Sequence, residues 1–232
     1  FYLSPLKIIW NSVRFALATV AISLVVGTIA ADFLAASGRR GDEVIAQSMT
    51  YWGTSLQVFS LGATVVFAEM EPHSLCLDPA DIERHITEHT KAIVPVHYSG
   101  YPTDMDPLME IAGKHGLKVV EDVSHAQGGL YKGRLLGTIG DVGAMSIMSG
   151  KSLACGEGGF LVTDDDDIFE RAAAFGHYER IPGLENPDFN HLAGMPIGGY
   201  KYRMHQLTSA MGRVQLRHYD VRGAEIQRAM NH

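Results

Sequence analysis

Apolar and polar residues alternate in blocks that predict strands and helices in turn from Gly41 to Thr163. Short runs rich in Val and Ile are typical of strands that are buried on both faces of a parallel sheet. Segments in which apolar residues recur every three or four positions predict the helices between them. This order predicts an α/β fold in which helices cover both faces of a mainly parallel sheet.

Strands are predicted at Val44 and Ile45 and at residues 64–68, 91–96, 119–120, 142–148 and 160–163. Helices are predicted at residues 79–86, 106–115 and 168–175, and a longer helix is predicted to run through Gln215 and Leu216. Asp78 before Pro79 is typical of a helix start, because Asp caps free amides and Pro fits the first helical position. The acidic residues 164–167 likewise suit the first turn of the helix that follows them.

Residues 15–36 form the most apolar run of the chain, and three interpretations are open. Basic residues precede the run, which is typical of a signal peptide. A membrane span is a weaker interpretation, because a span needs ~20 apolar residues and this run contains Thr19, Ser23, Gly27, Thr28 and Asp32. The third interpretation is a buried strand over residues 21–26, followed by a glycine turn and a buried helix.

The composition argues against nucleic-acid binding. The 232 residues include 19 Lys and Arg against 26 Asp and Glu, which gives a net charge of −7, whereas a nucleic-acid binder needs a basic face. Two cysteines, Cys76 and Cys155, are too few for a disulfide framework or a zinc site. A reducing, cytoplasmic setting fits this composition best.

Two short motifs are excluded by their surroundings. His85, Glu88 and His89 have the spacing of a metal-binding motif, but the predicted helix end would separate the two histidines, so no metal site is predicted. Residues 150–152 look like the end of a phosphate-binding P-loop, which requires a glycine where this chain has Met145. The sequence therefore does not predict a P-loop nucleotide hydrolase.

Residues that can carry chemistry gather between positions 119 and 163. Glu121 and Asp122 end a predicted buried strand, and Lys151 lies in an exposed Ser/Gly-rich turn after the next strand. In α/β proteins, functional residues lie at the carboxyl ends of the strands. We therefore expect an acid and an amine to face one site.

Four blocks in this stretch resemble the motifs of one family. They are EDVSHAQG at residues 121–128, Gly140-Asp141, the Ser146-to-Lys151 segment, and GEGG at residues 156–159. In this order and spacing they resemble the DegT/DnrJ/EryC1/StrS family of pyridoxal-phosphate-dependent sugar aminotransferases. The resemblance also favours the buried strand-and-helix interpretation of residues 15–36, because the family continues with a G-D-E-V-I segment like residues 41–45.

The resemblance implies the large domain of a fold-type I, aspartate aminotransferase-like transferase. Residues 1–199 would form this pyridoxal-phosphate-binding domain, which is incomplete at its N-terminus. Residues 200–232 would form an interface motif and a long helix leading toward a small C-terminal domain that the chain lacks. On this interpretation the chain is a fragment.

The resemblance also assigns the chemistry to individual residues. Lys151 would hold pyridoxal 5'-phosphate as a Schiff base and then act as general base, and Asp122 would keep the ring nitrogen protonated. The ring of Tyr51 would stack on the cofactor, and His125 would lie near the ring oxygen.

Four further positions would serve the cofactor phosphate. These are the Thr28 hydroxyl, the Ile29 amide, the Ser146 hydroxyl and Lys201. Lys201 stands where the family has an Asn that contacts the phosphate bound by the partner subunit.

The implied function is transfer of an amino group from glutamate or glutamine to a keto group on a nucleotide-linked sugar or a cyclitol. A homodimer with sites at the subunit interface is expected, and neither nucleic acid nor membrane is an expected partner. Lys151 disfavours a dehydratase, since family dehydratases carry histidine there. The alternatives are a catalytically silent or regulatory family member, a truncated gene product that retains the fold, and a protein anchored to a membrane by residues 15–36.

Overall fold

The computed structural model describes residues 41–176, 185–187, 202 and 204–230. The strands are β1 (Glu43–Gln47), β2 (Thr64–Ala68), β3 (Thr90–Val94), β4 (Lys118–Asp122), β5 (Leu130–Tyr131), β6 (Arg134–Leu135), β7 (Val142–Ser146) and β8 (Gly159–Val162). The helices are α1 (Gly53–Ser60), α2 (Pro79–His85), α3 (Met105–His115), α4 (Asp166–Gly176), α5 (Gln206–Arg217) and α6 (Tyr219–Met230).

Six strands form one sheet in the order β2-β1-β3-β4-β7-β8, and β5 and β6 form a separate ribbon. All neighbouring strands from β2 to β7 run parallel, whereas β8 runs antiparallel beside β7. This topology confirms the predicted α/β fold with a mainly parallel sheet.

The four inner strands, β1, β3, β4 and β7, are buried on both faces. Successive side chains of a strand point to opposite faces, so each strand contributes to two cores. One core contains Ile45, Ile93 and Val119 of the strands together with residues of α2 and α3. The opposite core contains Val44 and Val120 together with residues of α1 and α4. The strands therefore read as continuous apolar runs, as expected for a sheet covered on both sides.

Pro95 ends β3 before the predicted position. The pattern predicted a strand over residues 91–96, whereas β3 ends at Val94. Proline has no amide hydrogen to donate to the ladder, and pairing resumes only as an isolated bridge between Val96 and Asp122. β7 similarly ends at Ser146 rather than at Met148.

The helix predicted over residues 79–86 is present and ends at His85, one residue before the predicted end. Asp78 caps α2 by accepting a hydrogen bond from the Ala80 amide, and the backbone becomes extended at Ile86. Glu88 and His89 therefore lie beyond the helix.

The predicted helix through Gln215 and Leu216 is α5, which ends at Arg217. His218 has non-helical backbone angles and separates α5 from α6. None of the helices that the structure describes is long and apolar enough to cross a membrane. Residues 15–36 lie outside the described residues, so their interpretation stays a prediction.

Glu121, just before the end of β4, is fully buried and ties β4 to the loop that precedes β7. Its Oε1 atom accepts hydrogen bonds from the amides of Ile139 and Gly140, both at 2.7 Å. Its Oε2 atom accepts from the Gly137 amide at 2.9 Å and from His97 Nε2 at 3.0 Å. Four donors therefore surround one carboxylate.

His97 is fully buried, and its hydrogen bonds determine its tautomer. The Thr103 amide donates to Nδ1 at 3.1 Å, so the ring proton lies on Nε2, which donates to Glu121. Burial would raise the pKa of Glu121, but the hydrogen bonds from His97, Gly140 and Gly137 outweigh burial and hold the pKa below its ordinary value.

The Gly140-Asp141 block lies against the start of β4. A side chain at Gly140 would approach the Val119 carbonyl oxygen to 2.8 Å, which leaves room only for glycine. Asp141 Oδ2 accepts a hydrogen bond from the Val119 amide at 2.8 Å, and Oδ1 lies 2.6 Å from Lys118 Nζ. This block and Glu121 together fix the position of β7 beside β4.

We expect Glu121→Gln to lower the free energy of unfolding by more than about 2 kcal/mol, because an amide group would face backbone donors inside the protein. Urea unfolding at about pH 7 measures this change, with the exposed Glu110→Gln as the matched control. An effect no larger than that of the control would contradict the assigned role.

The same network predicts a dependence on pH. Because the pKa of Glu121 in the folded protein lies below its ordinary value of 4.5, the Glu121 carboxylate stabilises the fold above that pH. Its contribution is lost as the pH falls through the lowered pKa. Between about pH 5 and pH 3 the wild type should therefore lose more unfolding free energy than Glu121→Gln.

Candidate active site

The predicted acid and amine lie on segments that leave the same edge of the sheet. Asp122 is the last residue of β4 and Ser146 is the last residue of β7. Since β4 and β7 are parallel, their carboxyl ends meet at one edge. Lys151 lies in the loop from β7 to β8, which returns to this edge because β8 runs antiparallel.

Asp122 is buried, and hydrogen-bond donors hold both of its carboxylate oxygens. The Thr54 hydroxyl donates to Oδ2 at 2.8 Å, and the Ser124 amide donates to Oδ1 at 3.0 Å. Thr50 Oγ1 lies 3.1 Å from Thr54 Oγ1. Because the hydrogen of Thr54 goes to Asp122, Thr50 donates to Thr54, and a chain of two hydroxyls leads to the carboxylate.

Lys151 is half-buried, which corrects the expectation of an exposed lysine. Its amide donates to the Met148 carbonyl at 2.9 Å, and the loop is closed by the Ser149 amide, which donates to the Gly156 carbonyl at 2.8 Å. Burial lowers the pKa of Lys151, against the opposing effect of the Asp122 carboxylate.

His125 lies within the electrostatic reach of both groups. Its ring is exposed at the surface and meets Tyr98 edge to face, with 5.5 Å between ring centroids. Partial burial lowers the pKa of His125, and the positive charge of Lys151 lowers it further, against the effect of Asp122. Asp122, His125 and Lys151 therefore lie close enough to influence one another electrostatically.

Ser146 ends β7, and Tyr51 lies in the loop between β1 and α1. Ser146 is buried, and its hydroxyl oxygen accepts a hydrogen bond from the Met148 amide at 3.3 Å. Tyr51 is half-buried just before α1, and its ring lies 5.4 Å from that of Trp52, centroid to centroid, at an angle of 41°. The three other predicted positions, Thr28, Ile29 and Lys201, lie outside the described residues.

Sequence patterns missed two residues that contact the predicted site. Thr54 lies in α1, 68 positions before its partner Asp122, and a lone threonine in a helix carries no functional signal. Gln127 lies within the EDVSHAQG block but at a position that the motif leaves open. The burial of this polar side chain cannot be read from local periodicity.

An acidic depression of about 560 Å³ lies at the opposite edge of the sheet, where β7 begins and β8 ends. It is lined by Gly140, Asp141 and Asp164 to Asp167. It contains neither the lysine nor the strand ends that carry the predicted chemistry, so we place the candidate site at the carboxyl edge instead.

A model of the DegT/DnrJ/EryC1/StrS aminotransferase family matches residues 12–231. The chain belongs to this family. Among curated relatives of this aminotransferase family, GDP-perosamine synthase of Caulobacter vibrioides is 39% identical over 180 residues, which are 78% of this chain and 47% of that protein.

Solved structures of aminotransferases share the fold. DesV of S. venezuelae, solved in complex with a ketimine intermediate, has a TM-score of 0.72 and 36% identity, and the match covers 86% of this chain and 51% of DesV. DesI, solved in the presence of its TDP-sugar product, has a TM-score of 0.71 and 35% identity. The match covers 84% of this chain and 47% of DesI. The chain thus spans about half the length of the relatives that it matches.

We expect Thr54→Val to lower the free energy of unfolding by about 1–3 kcal/mol, because a buried carboxylate oxygen loses its hydroxyl donor. Thr54→Ser keeps the hydroxyl and should retain most of the stability. Thermal and urea unfolding of both variants measure the difference. If the serine variant were as unstable as the valine variant, packing rather than the hydrogen bond would explain the loss.

Proposed function

We propose that the protein is a pyridoxal-phosphate-dependent aminotransferase in which Lys151 binds the cofactor covalently. The observation that carries this proposal is the cluster of Lys151, Asp122 and His125 at the carboxyl edge of the sheet. A lysine and a histidine with lowered pKa values beside a buried carboxylate, at the carboxyl ends of strands, are typical of catalytic sites. Membership of an aminotransferase family supports the same conclusion.

The described residues fit this cofactor by their chemistry. A protonated pyridine nitrogen needs a negative hydrogen-bond acceptor, and the buried Asp122 carboxylate offers one that Thr54 and Ser124 already hold in place. A covalent tether needs a neutral amine, and burial favours that form of Lys151. Tyr51 offers an aromatic face and Ser146 a hydroxyl, and we propose that Thr28, Ile29 and Lys201 complete the phosphate site.

We propose that some residues of the site bind the cofactor and that Lys151 also transfers protons. When bound, pyridoxal phosphate supplies an electron sink for the carbon that loses a proton. Lys151 Nζ would hold the cofactor and, as a free amine, would take a proton and return it. Asp122 would keep the ring nitrogen protonated, and His125 would serve the ring oxygen. A lysine whose pKa is lowered suits this role, because a larger fraction of the amine is neutral at physiological pH.

We propose a keto group on a nucleotide-linked sugar or a cyclitol as the acceptor, and glutamate or glutamine as the donor. Relatives named for GDP-perosamine synthesis and a related structure with a TDP-sugar product support a nucleotide-linked sugar. The setting that we propose is cytoplasmic.

We further propose that residues 1–199 form the cofactor-binding domain, that residues 200–232 lead away from it, and that two copies form a homodimer. Large apolar side chains exposed on α5 and α6 support an interface with a second copy on these helices. They are Leu207, Met211, Val214, Leu216, Val221 and Ile226.

The first test is borohydride reduction of the protein after incubation with pyridoxal phosphate, followed by peptide mapping. The wild type should carry the reduced cofactor on Lys151, and Lys151→Ala should carry none there. The variant should lose less than about 1 kcal/mol of unfolding free energy, because the Lys151 amine has no hydrogen bond to the residues that the structure describes. A folded wild type without the adduct would refute the proposal.

A second test concerns Asp122→Asn. The amide can still accept from Ser124 and bond to Thr54, so the fold should remain. Loss of the negative charge should weaken cofactor binding by about 10- to 100-fold, the effect of losing one charged hydrogen bond. Spectroscopic titration with pyridoxal phosphate measures the dissociation constant, and Asp220→Asn, on the exposed side of α6, is the control. An unchanged constant would remove Asp122 from the site.

A further inference from the structure

A buried glutamine connects the three segments that carry Asp122, Ser146 and Lys151. Gln127 Nε2 donates to the Ser124 carbonyl at 3.2 Å and to the Ser146 carbonyl at 2.6 Å. Since carbonyl oxygens only accept, these two partners fix the orientation of the amide group. Oε1 must then face the Lys151 loop, where the Ser152 hydroxyl donates to it at 2.7 Å.

Helix α6 joins this cluster through the side chain of Tyr219. The Tyr219 hydroxyl donates to the Gln127 main-chain carbonyl and lies 3.0 Å from Ser152 Oγ. Each hydroxyl donates its one hydrogen to Gln127. Ser152 donates to the side-chain oxygen, and Tyr219 donates to the main-chain oxygen. Deleting either hydroxyl therefore removes a bond to the same residue.

Tyr219 packs closely against Gly128 and a small apolar core. Gly128 has a φ of +73°, and a side chain there would approach Tyr219 Cε1 to 3.0 Å. The tyrosine also packs against a small core of Ile147, Leu153 and Cys155. By contrast, Val221 and Ile226 of the same helix are exposed, whereas Tyr219 is half-buried.

We propose that Gln127, Ser152 and Tyr219 are positioning residues that hold the Lys151 loop against the segment after β4. Helix α6 thereby determines where the Lys151 amine stands relative to Asp122. The inference rests on the proposed function for the role of Lys151, but the tether itself is a property of the protein alone. On this inference, helix α6 helps to hold the residues of the active site in position.

Hydrogen exchange of the protein without added cofactor tests the tether directly. Tyr219→Phe and Ser152→Ala should each speed amide exchange in residues 148–156 by about 3- to 10-fold, the effect of one lost hydrogen bond. Exchange in β1 should stay unchanged. Ser152→Thr keeps a hydroxyl and should restore the slow exchange, and the exposed Tyr101→Phe is the matched control.

Coupling between the two hydroxyls gives a sharper criterion. Because both act on Gln127, the double variant should speed exchange by less than the product of the two single effects. Gln127→Met should speed amide exchange in residues 148–156 the most. If that variant does not fold, Tyr219→Phe and Ser152→Ala test the inference by themselves. Loop exchange as slow as in the wild type in both hydroxyl variants, or no rescue by Ser152→Thr, would overturn the inference.

Capture of pyridoxal phosphate separates this inference from the proposed function. The wild type should form the reducible adduct on Lys151, and the hydroxyl variants should form it about 3- to 10-fold more slowly. A wild type without the adduct would count against the aminotransferase, while the exchange experiment would still test the tether. A normal rate of capture in variants with a loosened loop would show that the tether does not position the amine.

Discussion

The Glu121 carboxylate is the interaction on which the geometry of the site depends. It accepts three backbone hydrogen bonds from the loop before β7 and one from His97, which lies beyond the end of β3. It thereby fixes three adjacent segments of the sheet relative to one another. Its neighbour Asp122 points to the other side of β4, as alternate residues of a strand do. One carboxylate thus holds the framework while the next one faces the proposed chemistry.

The antiparallel strand β8 explains how a lysine comes to lie near Asp122. A parallel connection would carry the chain across to the opposite edge of the sheet before the next strand begins. Here the chain leaves β7 at the carboxyl edge, forms the Lys151 loop and returns directly into β8. The amine therefore stays at the edge where the parallel strands end, on a loop that β7 and β8 hold at both ends.

The sequence predicted the alternation of strands and helices because burial of both sheet faces leaves continuous apolar runs, as in Val44-Ile45. It also located Asp122 and Lys151 at one edge, since strand order and short motifs encode such positions. It could not predict the burial of Lys151, which depends on how its loop folds back. Nor could it reveal the contact of Thr54 with Asp122, since the two residues lie 68 positions apart. Contacts of this kind depend on tertiary packing, which local patterns do not record.

The contact between Gln127 and Tyr219 spans 92 positions of the chain. A protein is synthesised from its N-terminus, and its domains fold as units while the chain emerges. The sheet up to β8 can pair before residue 219 has left the ribosome, but the Lys151 loop acquires its last tether only afterwards. If the proposed tether holds, the Lys151 loop gains its full set of hydrogen bonds only after residue 219 has been synthesised.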